Sequence, residues 1–107
     1  MPVIYIEFDD TKVSDKDALD LSNAIQKIVS SVTQIEDVCV YANSSRINVK
    51  IAPIEIFVHI SAHKIPNIDK MLNEFKQELS KWKKQMDFPH PINLTLNPLN
   101  WKFEIGI

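Results

Sequence analysis

The segment Pro2-Val3-Ile4-Tyr5-Ile6-Glu7-Phe8 begins with proline and continues with residues that favour β-strands. A second segment of the same kind, Pro53-Ile54-Glu55-Ile56-Phe57-Val58-His59-Ile60, begins the other half of the chain. Proline is tolerated at the first residue of a strand, because its missing N–H breaks no hydrogen bond there. We therefore predict that each half of the chain opens with a strand, at residues 3–8 and 54–62.

Apolar residues at helical spacing predict one amphipathic helix after each of these strands. Ser14 suits the N-cap of the first helix, which we place at about residues 15–32. Pro66 suits the first turn of the second helix, and Pro89 and Pro91 end it. The apolar stripes contain Ala18, Leu21, Ile25, Ile28, Val29 and Val32 in the first helix, and Ile68, Met71, Leu72, Phe75, Leu79, Trp82 and Met86 in the second.

Two further strands are predicted after each helix. They cover residues 38–42 and 46–51 in the first half, and 92–96 and 101–105 in the second, with turns at 43–45 and 97–100. Each half then has the element order strand, helix, strand, turn, strand. Corresponding elements of the two halves are separated by a nearly constant number of residues. We interpret the chain as a single domain built from two similar halves, 1–52 and 53–107.

The predicted fold class is α+β, with two β-α-β-β units sharing one sheet. A strand-helix-strand unit favours a parallel pair with a right-handed crossover, so both helices are expected on one face of the sheet. The first and third strands also carry apolar residues on their other face, such as Tyr5 and Phe57. Because that face needs cover, we expect copies of the chain to associate.

The composition excludes several classes of function. The 107 residues carry a net charge of −2, which argues against a nucleic-acid module held by a basic face. The only glycine is Gly106, whereas phosphate-binding loops need several. The only cysteine, Cys39, permits neither an internal disulfide nor a cysteine-rich metal site. We expect no metal and no cofactor, and, without a membrane span or signal peptide, a cytoplasmic protein.

Met1-Pro2, followed at once by an apolar strand and an amphipathic helix and then by the same unit again, resembles the tautomerase superfamily. The nearest branches are the 5-carboxymethyl-2-hydroxymuconate isomerases, to whose central strand residues 57–61 are similar, and the macrophage-migration-inhibitory-factor type. This resemblance implies a homotrimer from which the initiator methionine is removed. It also implies that the Pro2 amine is the general base of an isomerase that moves a proton on a small 2-keto or enol acid.

Such chemistry is sound on general grounds, because a free α-amino group has a pKa of about 7.7–8.0 and burial lowers it further. The substrate carboxylate needs a cation, and Arg46 is the only arginine, from the same or a neighbouring subunit. Tyr41, His59 and Asn97 are the candidates for hydrogen bonds to the substrate or its enolate. Each of these residues also has a purely structural interpretation.

Two alternatives remain open at this point. The strand after the first helix carries Cys39 and Tyr41 where arginines are expected in the superfamily, and the glycine-rich loop of small members is missing. The chain would then be a trimeric tautomerase-fold binding protein whose catalytic residues have been lost. The other alternative is a ferredoxin-like ligand-binding module, monomeric or dimeric, since that fold has the element order β-α-β-β-α-β.

Overall fold

The computed structural model describes residues 1–107 and contains two strand-helix-strand units. The first consists of strand β1 (Val3–Phe8), helix α1 (Asp15–Thr33) and strand β2 (Cys39–Ser44). The second consists of strand β3 (Ile54–Ser61), a short 3-10 turn (Ala62–Lys64), helix α2 (Ile68–Met86) and strand β4 (Asn93–Leu99).

The four strands form one mixed sheet in the order β2-β1-β3-β4. Within each unit the two strands pair in parallel, and β1 pairs with β3 in antiparallel orientation. The α+β fold class is thereby confirmed. The ferredoxin-like alternative is wrong, because its split β-α-β units separate the two parallel strands, whereas here β1 and β2 are direct neighbours.

Both helices pack on one face of the sheet, as expected. Alternate residues of β1 and β3 point towards the helices and are buried, while α1 and α2 contribute Leu21 and Phe75, which have no exposed surface. The buried strand residues are Ile4, Ile6, Phe8, Ile54, Ile56, Val58 and Ile60. This single apolar core therefore leaves the opposite face of the sheet without cover.

Short-range capping defines the ends of both helices. The Ser14 hydroxyl accepts a hydrogen bond from the Asp17 backbone N–H at 3.1 Å, which confirms the predicted N-cap. The second N-cap is Asn67, so the prediction that Pro66 lies in the first turn is wrong. Gln34 and Asp87 adopt left-handed backbone conformations and end the two helices.

Two of the predicted strands are not formed. Residues 46–51 and 101–105 have no strand partner within the chain, although both alternate apolar and polar residues. The turns predicted beside them are also wrong, because β2 continues to Ser44 and β4 continues to Leu99. Pro98 fits within β4 because β4 is an edge strand, which pairs on one side only.

Neither long helix combines the length and apolar composition that a membrane span requires.

Candidate functional site

The uncovered face of the sheet, here called the open face, presents three rows of side chains across the four strands. The strand registers define these rows. They consist of Cys39, Val3, His59 and Asn97 in the first row, of Tyr41, Tyr5, Phe57 and Thr95 in the second, and of Asn43, Glu7, Glu55 and Asn93 in the third. Three of the sequence candidates, Tyr41, His59 and Asn97, therefore share one surface.

Tyr5 joins these three candidates into one connected cluster on the open face. Its ring stacks on that of Tyr41, with centroids 5.7 Å apart, and meets the His59 ring edge-on at 5.5 Å. On the other side of His59, the Asn97 amide nitrogen Nδ2 lies 3.4 Å from ring nitrogen Nδ1. The amide can donate to that nitrogen when it carries no proton, which leaves Nε2 protonated.

This cluster can supply proton donors and acceptors to a small ligand. The Tyr41 hydroxyl can donate to a developing oxyanion, and neutral His59 can donate from Nε2. His59 and Asn97 are both half-buried, so their side chains are held by their neighbours while still reaching the surface. The structure thus places hydrogen-bonding groups on rigid strands rather than on loops.

Pro2 lies at the head of β1, with its ring buried on the helix side of the sheet. Its carbonyl oxygen accepts a hydrogen bond from the Cys39 backbone N–H at 3.2 Å, which fixes Pro2 against the start of β2. The Met1 side chain lies beside it, and the Cys39 thiol Sγ is 3.6 Å from the Met1 sulfur Sδ. While Met1 is attached, the Pro2 nitrogen is an amide and has no basic lone pair.

Arg46 lies at the opposite end of the sheet from Pro2. Strands β1 and β2 run parallel, Pro2 precedes the first of them, and Arg46 follows the end of the second. Six residues of strand separate the two ends, which is about 20 Å at the usual rise per residue. Within one chain, the guanidinium of Arg46 is therefore not brought to Pro2.

Two cavities of the chain also lie away from Pro2. One groove of about 350 Å³ runs between the two helices, beside Ala24 and Trp82. Another, of about 360 Å³, lies between the end of the sheet and the segment after β2, with Glu7, Lys50 and Glu55 in its walls. Pro2 lines neither of these two cavities.

Clear pKa shifts fall on two groups outside the open face, Asp9 and Lys16. The Thr11 side chain and backbone N–H donate hydrogen bonds to the Asp9 carboxylate and lower its pKa. The hydrogen bond and the charge of Asp20 raise the pKa of Lys16. Both shifts belong to local surface structure, on the turn after β1 and on α1.

Tyr5 was not predicted from the sequence as a site residue. Its ring contacts both Tyr41 and His59, but these contacts depend on the register between strands that lie 36 and 54 positions away along the chain. The alternation in residues 3–8 does place Tyr5 on the face opposite Ile4 and Ile6. That signal could have indicated its exposure, but not its neighbours.

No protein-family model matches the sequence, and no curated protein matches it either. Among solved structures, the chain is similar to a macrophage migration inhibitory factor-like protein from Entamoeba histolytica. The TM-score is 0.58 at 15% identity, over 96% of this chain and 95% of that one. It is also similar to macrophage migration inhibitory factor from Oncomelania hupensis, with a TM-score of 0.55 at 14% identity, over 100% and 82% of the two chains.

A third similar structure is native Ps01740, with a TM-score of 0.66 at 12% identity, over 95% of this chain and 99% of that chain. The chain therefore has the fold of the tautomerases and the macrophage migration inhibitory factor-like proteins, as its resemblance to that superfamily predicts.

Proposed function

We propose that the chain forms a homotrimeric tautomerase-type isomerase that moves a proton on a small 2-keto or enol acid. The observation that carries this proposal is the position of Pro2. It is a fully buried residue at the head of a central strand, in a fold shared with macrophage migration inhibitory factor-like proteins. Val3, the next residue, is paired with His59, so the amine released by removal of Met1 would lie near the hydrogen-bonding cluster of the open face.

In the proposed reaction, the Pro2 amine takes a proton from carbon or from an enol and returns it to another atom of the same substrate. A free α-amino group has an ordinary pKa of about 7.7–8.0, so this amine can act as a base near neutral pH. Tyr41 and His59 donate hydrogen bonds to the enolate oxygen that develops, and Asn97 orients the His59 ring. No redox partner is needed, because only a proton moves.

Two features support assembly of the chain into a trimer. The open face exposes the rings of Tyr5 and Tyr41 without cover. The segments 46–51 and 101–105 alternate apolar and polar residues but have no strand partner within the chain, and Ile47 and Val49 are 85% and 104% exposed. Both edges of the sheet, β2 and β4, are free to accept such segments from neighbouring copies.

Assembly would also remove the separation between Arg46 and Pro2. Arg46 begins the segment 46–51, is exposed, and forms no ion pair within its own chain. If that segment joins the sheet of a neighbouring copy, the Arg46 guanidinium can reach the site of that copy. There it can bind the substrate carboxylate in a bidentate manner. The proposed substrate-binding residues are then Arg46 from one subunit and Tyr41, His59 and Asn97 from another.

The test compares three proteins in one assay of phenylpyruvate enol ketonisation. They are the chain trimmed to begin at Pro2, the chain that retains Met1, and the trimmed Pro2→Ala variant, with each mass verified by mass spectrometry. We expect turnover by the first, none by the second, and a loss of at least about 100-fold in the third, since a positioned base contributes that much. Equal rates for the first two would rule out the amine mechanism.

One observation favours a second candidate, a trimeric binding protein without turnover. Cys39 and Tyr41 occupy the strand positions where cationic residues would be expected, and Arg46 lies at the far end of the sheet. Under this alternative, light scattering would give a trimer while the trimmed chain turned over no keto acid. A trimer that binds a small carboxylate by calorimetry, but shows no ketonisation, would support the binding protein.

A further inference from the structure

The groove between α1 and α2, here called the interhelical groove, has an apolar floor that is open to solvent. Ala24 and Ile28 of α1 and Trp82 and Met86 of α2 form this floor, and the cavity measures about 350 Å³. Ile28 and Trp82 are half-buried, and 55% of Met86 is exposed. Every residue that lines the groove belongs to one of the two helices, so the groove lies on the opposite side of the sheet from the open face.

The Trp82 indole carries a hydrogen-bond donor that the chain does not use. Its ring packs against that of Phe88, with centroids 5.0 Å apart, but its Nε1–H has no acceptor within the chain. This nitrogen is not sealed from solvent, because no buried side-chain nitrogen of the chain lacks a partner. The other tryptophan differs, since the Trp101 Nε1–H donates to the Ser61 hydroxyl at 2.8 Å. A ligand in the interhelical groove that carries an acceptor would therefore satisfy a free donor.

Lys27 supplies an uncompensated positive charge at the rim of the same groove. Two other charged residues of the rim have partners, since Lys81 contacts Glu78 at 3.1 Å and Asp20 contacts Lys16 at 2.8 Å. Lys27 is exposed and forms no ion pair within the chain. Charge complementarity therefore favours an anionic group on whatever occupies the groove.

We propose that the interhelical groove binds a small aromatic carboxylate, with its ring on the apolar floor and its carboxylate at the rim. Trp82 and Met86 both make favourable contacts with aromatic rings. A carboxylate suits both the Trp82 N–H and the Lys27 ammonium, because it accepts hydrogen bonds and carries negative charge. The groove has the volume of a small-molecule site, usually about 300–1,000 Å³. Its floor of four side chains is far smaller than the roughly 800 Å² per partner that a stable protein interface buries.

This binding site goes beyond the proposed isomerase function and does not depend on it. Because the groove lies on the helix side and Pro2 does not line it, the free Pro2 amine is not required for binding. We expect equal affinity in the chain that retains Met1 and in the chain trimmed to Pro2, whereas ketonisation requires the trimmed chain. Failure of one proposal is therefore distinguishable from failure of the other.

The experiment follows the indole N–H signals of the two tryptophans by NMR while a probe is added. The probe is 2-naphthoate, and 2-naphthalenemethanol is the matched neutral compound with the same ring system. We expect 2-naphthoate to shift the Trp82 signal and to leave the Trp101 signal in place. The alcohol should bind about two- to fivefold more weakly, the usual effect of one exposed ion pair. Trp101→Phe removes one of the two signals and thereby assigns both.

Two variants test the proposed contacts separately. Lys27→Gln should weaken binding of 2-naphthoate by about two- to fivefold. Trp82→Phe retains an aromatic ring but lacks the N–H, so it should weaken binding by about two- to tenfold, as expected for one hydrogen bond. The matched controls are Lys76→Gln, at an exposed position of α2 outside the groove, and Trp101→Phe. Both controls should leave the affinity unchanged.

An unchanged Trp82 signal on addition of 2-naphthoate, or equal affinities for the acid and the alcohol, would overturn the proposal. The same conclusion follows if Lys76→Gln weakens binding as much as Lys27→Gln, because general charge attraction would then explain the effect. A Trp82 signal that shifts with protein concentration alone would identify a second copy as the occupant and would also overturn the proposal. Thermal melting verifies that Trp82→Phe remains folded, and Lys27→Gln changes an exposed residue, so it tests the site independently of the core.

Discussion

His90 Nε2 lies 3.0 Å from the Asp17 carboxylate oxygen Oδ2, and this contact joins the segment between α2 and β4 to the first turn of α1. Only 15% of the His90 side chain is exposed, and its ring also meets the Phe88 ring edge-on. Lys83 donates a hydrogen bond to the His90 backbone carbonyl at 2.6 Å. The two strand-helix-strand units are thus connected by a polar contact outside the core.

We expect His90→Ala to lower the free energy of unfolding by about 0.5–1.5 kcal/mol, the usual net contribution of one hydrogen bond. A double-mutant cycle with Asp17→Ala, measured by urea unfolding, isolates this interaction from the effect of Asp17 on the helix N-terminus. Asp15→Ala is the matched control, because Asp15 also lies in the first turn of α1. A coupling energy between His90 and Asp17 no larger than that between His90 and Asp15 would contradict the expectation.

Thr11→Val should raise the pKa of Asp9 towards its ordinary value. The hydroxyl of Thr11 donates to the Asp9 carboxylate at 2.6 Å and is the largest cause of its lowered pKa, while the backbone N–H of Thr11 remains in the variant. Because the pKa is lower in the folded chain, this contact stabilises the fold at neutral pH, and the stabilisation is lost as the pH falls through that value. An NMR titration of Asp9 measures the shift, and Thr95→Val should leave it unchanged.

Phe75→Ala should cost about 3–5 kcal/mol of unfolding free energy, because a large aromatic side chain with no exposed surface leaves a cavity. Leu19→Ala on the outer surface of α1, where the side chain is 61% exposed, should change stability by less than about 0.5 kcal/mol. Urea unfolding of the two variants makes the comparison. Similar losses in both would mean that Phe75 does not lie in the core as described.

Val49→Asp should prevent the proposed assembly without unfolding the single chain. Val49 is fully exposed within the chain, so aspartate costs nothing there, but it would bury an unpaired charge between copies. Light scattering should show a trimer for the unmodified protein and single chains for the variant, with association weakened by about 100-fold or more. The control is Met86→Asp, at an exposed position on α2, and this variant should remain trimeric. If the unmodified protein is monomeric, the proposed trimer is refuted.

Local sequence patterns predicted the parts of the fold that depend on local forces. The N-cap at Ser14 needs only its own hydroxyl and the N–H of Asp17, and the alternation in β1 needs only a sheet with one covered face. The strand predicted at residues 46–51 was wrong because alternation indicates one apolar side but does not supply a neighbouring strand with which to pair. The turn predicted at Asn97-Pro98 was wrong because an edge strand tolerates proline.

The sequence predicted which residues belong to the candidate site better than it predicted how these residues are arranged. Tyr41, His59 and Asn97 lie on the open face because strand period determines the side of each residue. Their connection through Tyr5 depends on register between distant segments, which no single stretch of sequence contains. The distance between Arg46 and Pro2 likewise follows from the parallel pairing of β1 and β2 rather than from either residue.

The two edge strands of the sheet, β2 and β4, differ in sequence. A contact between β2 of one copy and β4 of the next therefore joins unlike surfaces. Such head-to-tail contacts either close into a ring or continue as an open filament. A closed ring of three chains would pair every edge strand. No unpaired N–H or C=O groups of these strands would then be left to bind a fourth copy. Pro98 lies in β4 and has no N–H to donate. This edge strand is therefore a poorer template for the addition of further strands. Closure of the proposed trimer would therefore also protect the chain against fibre formation.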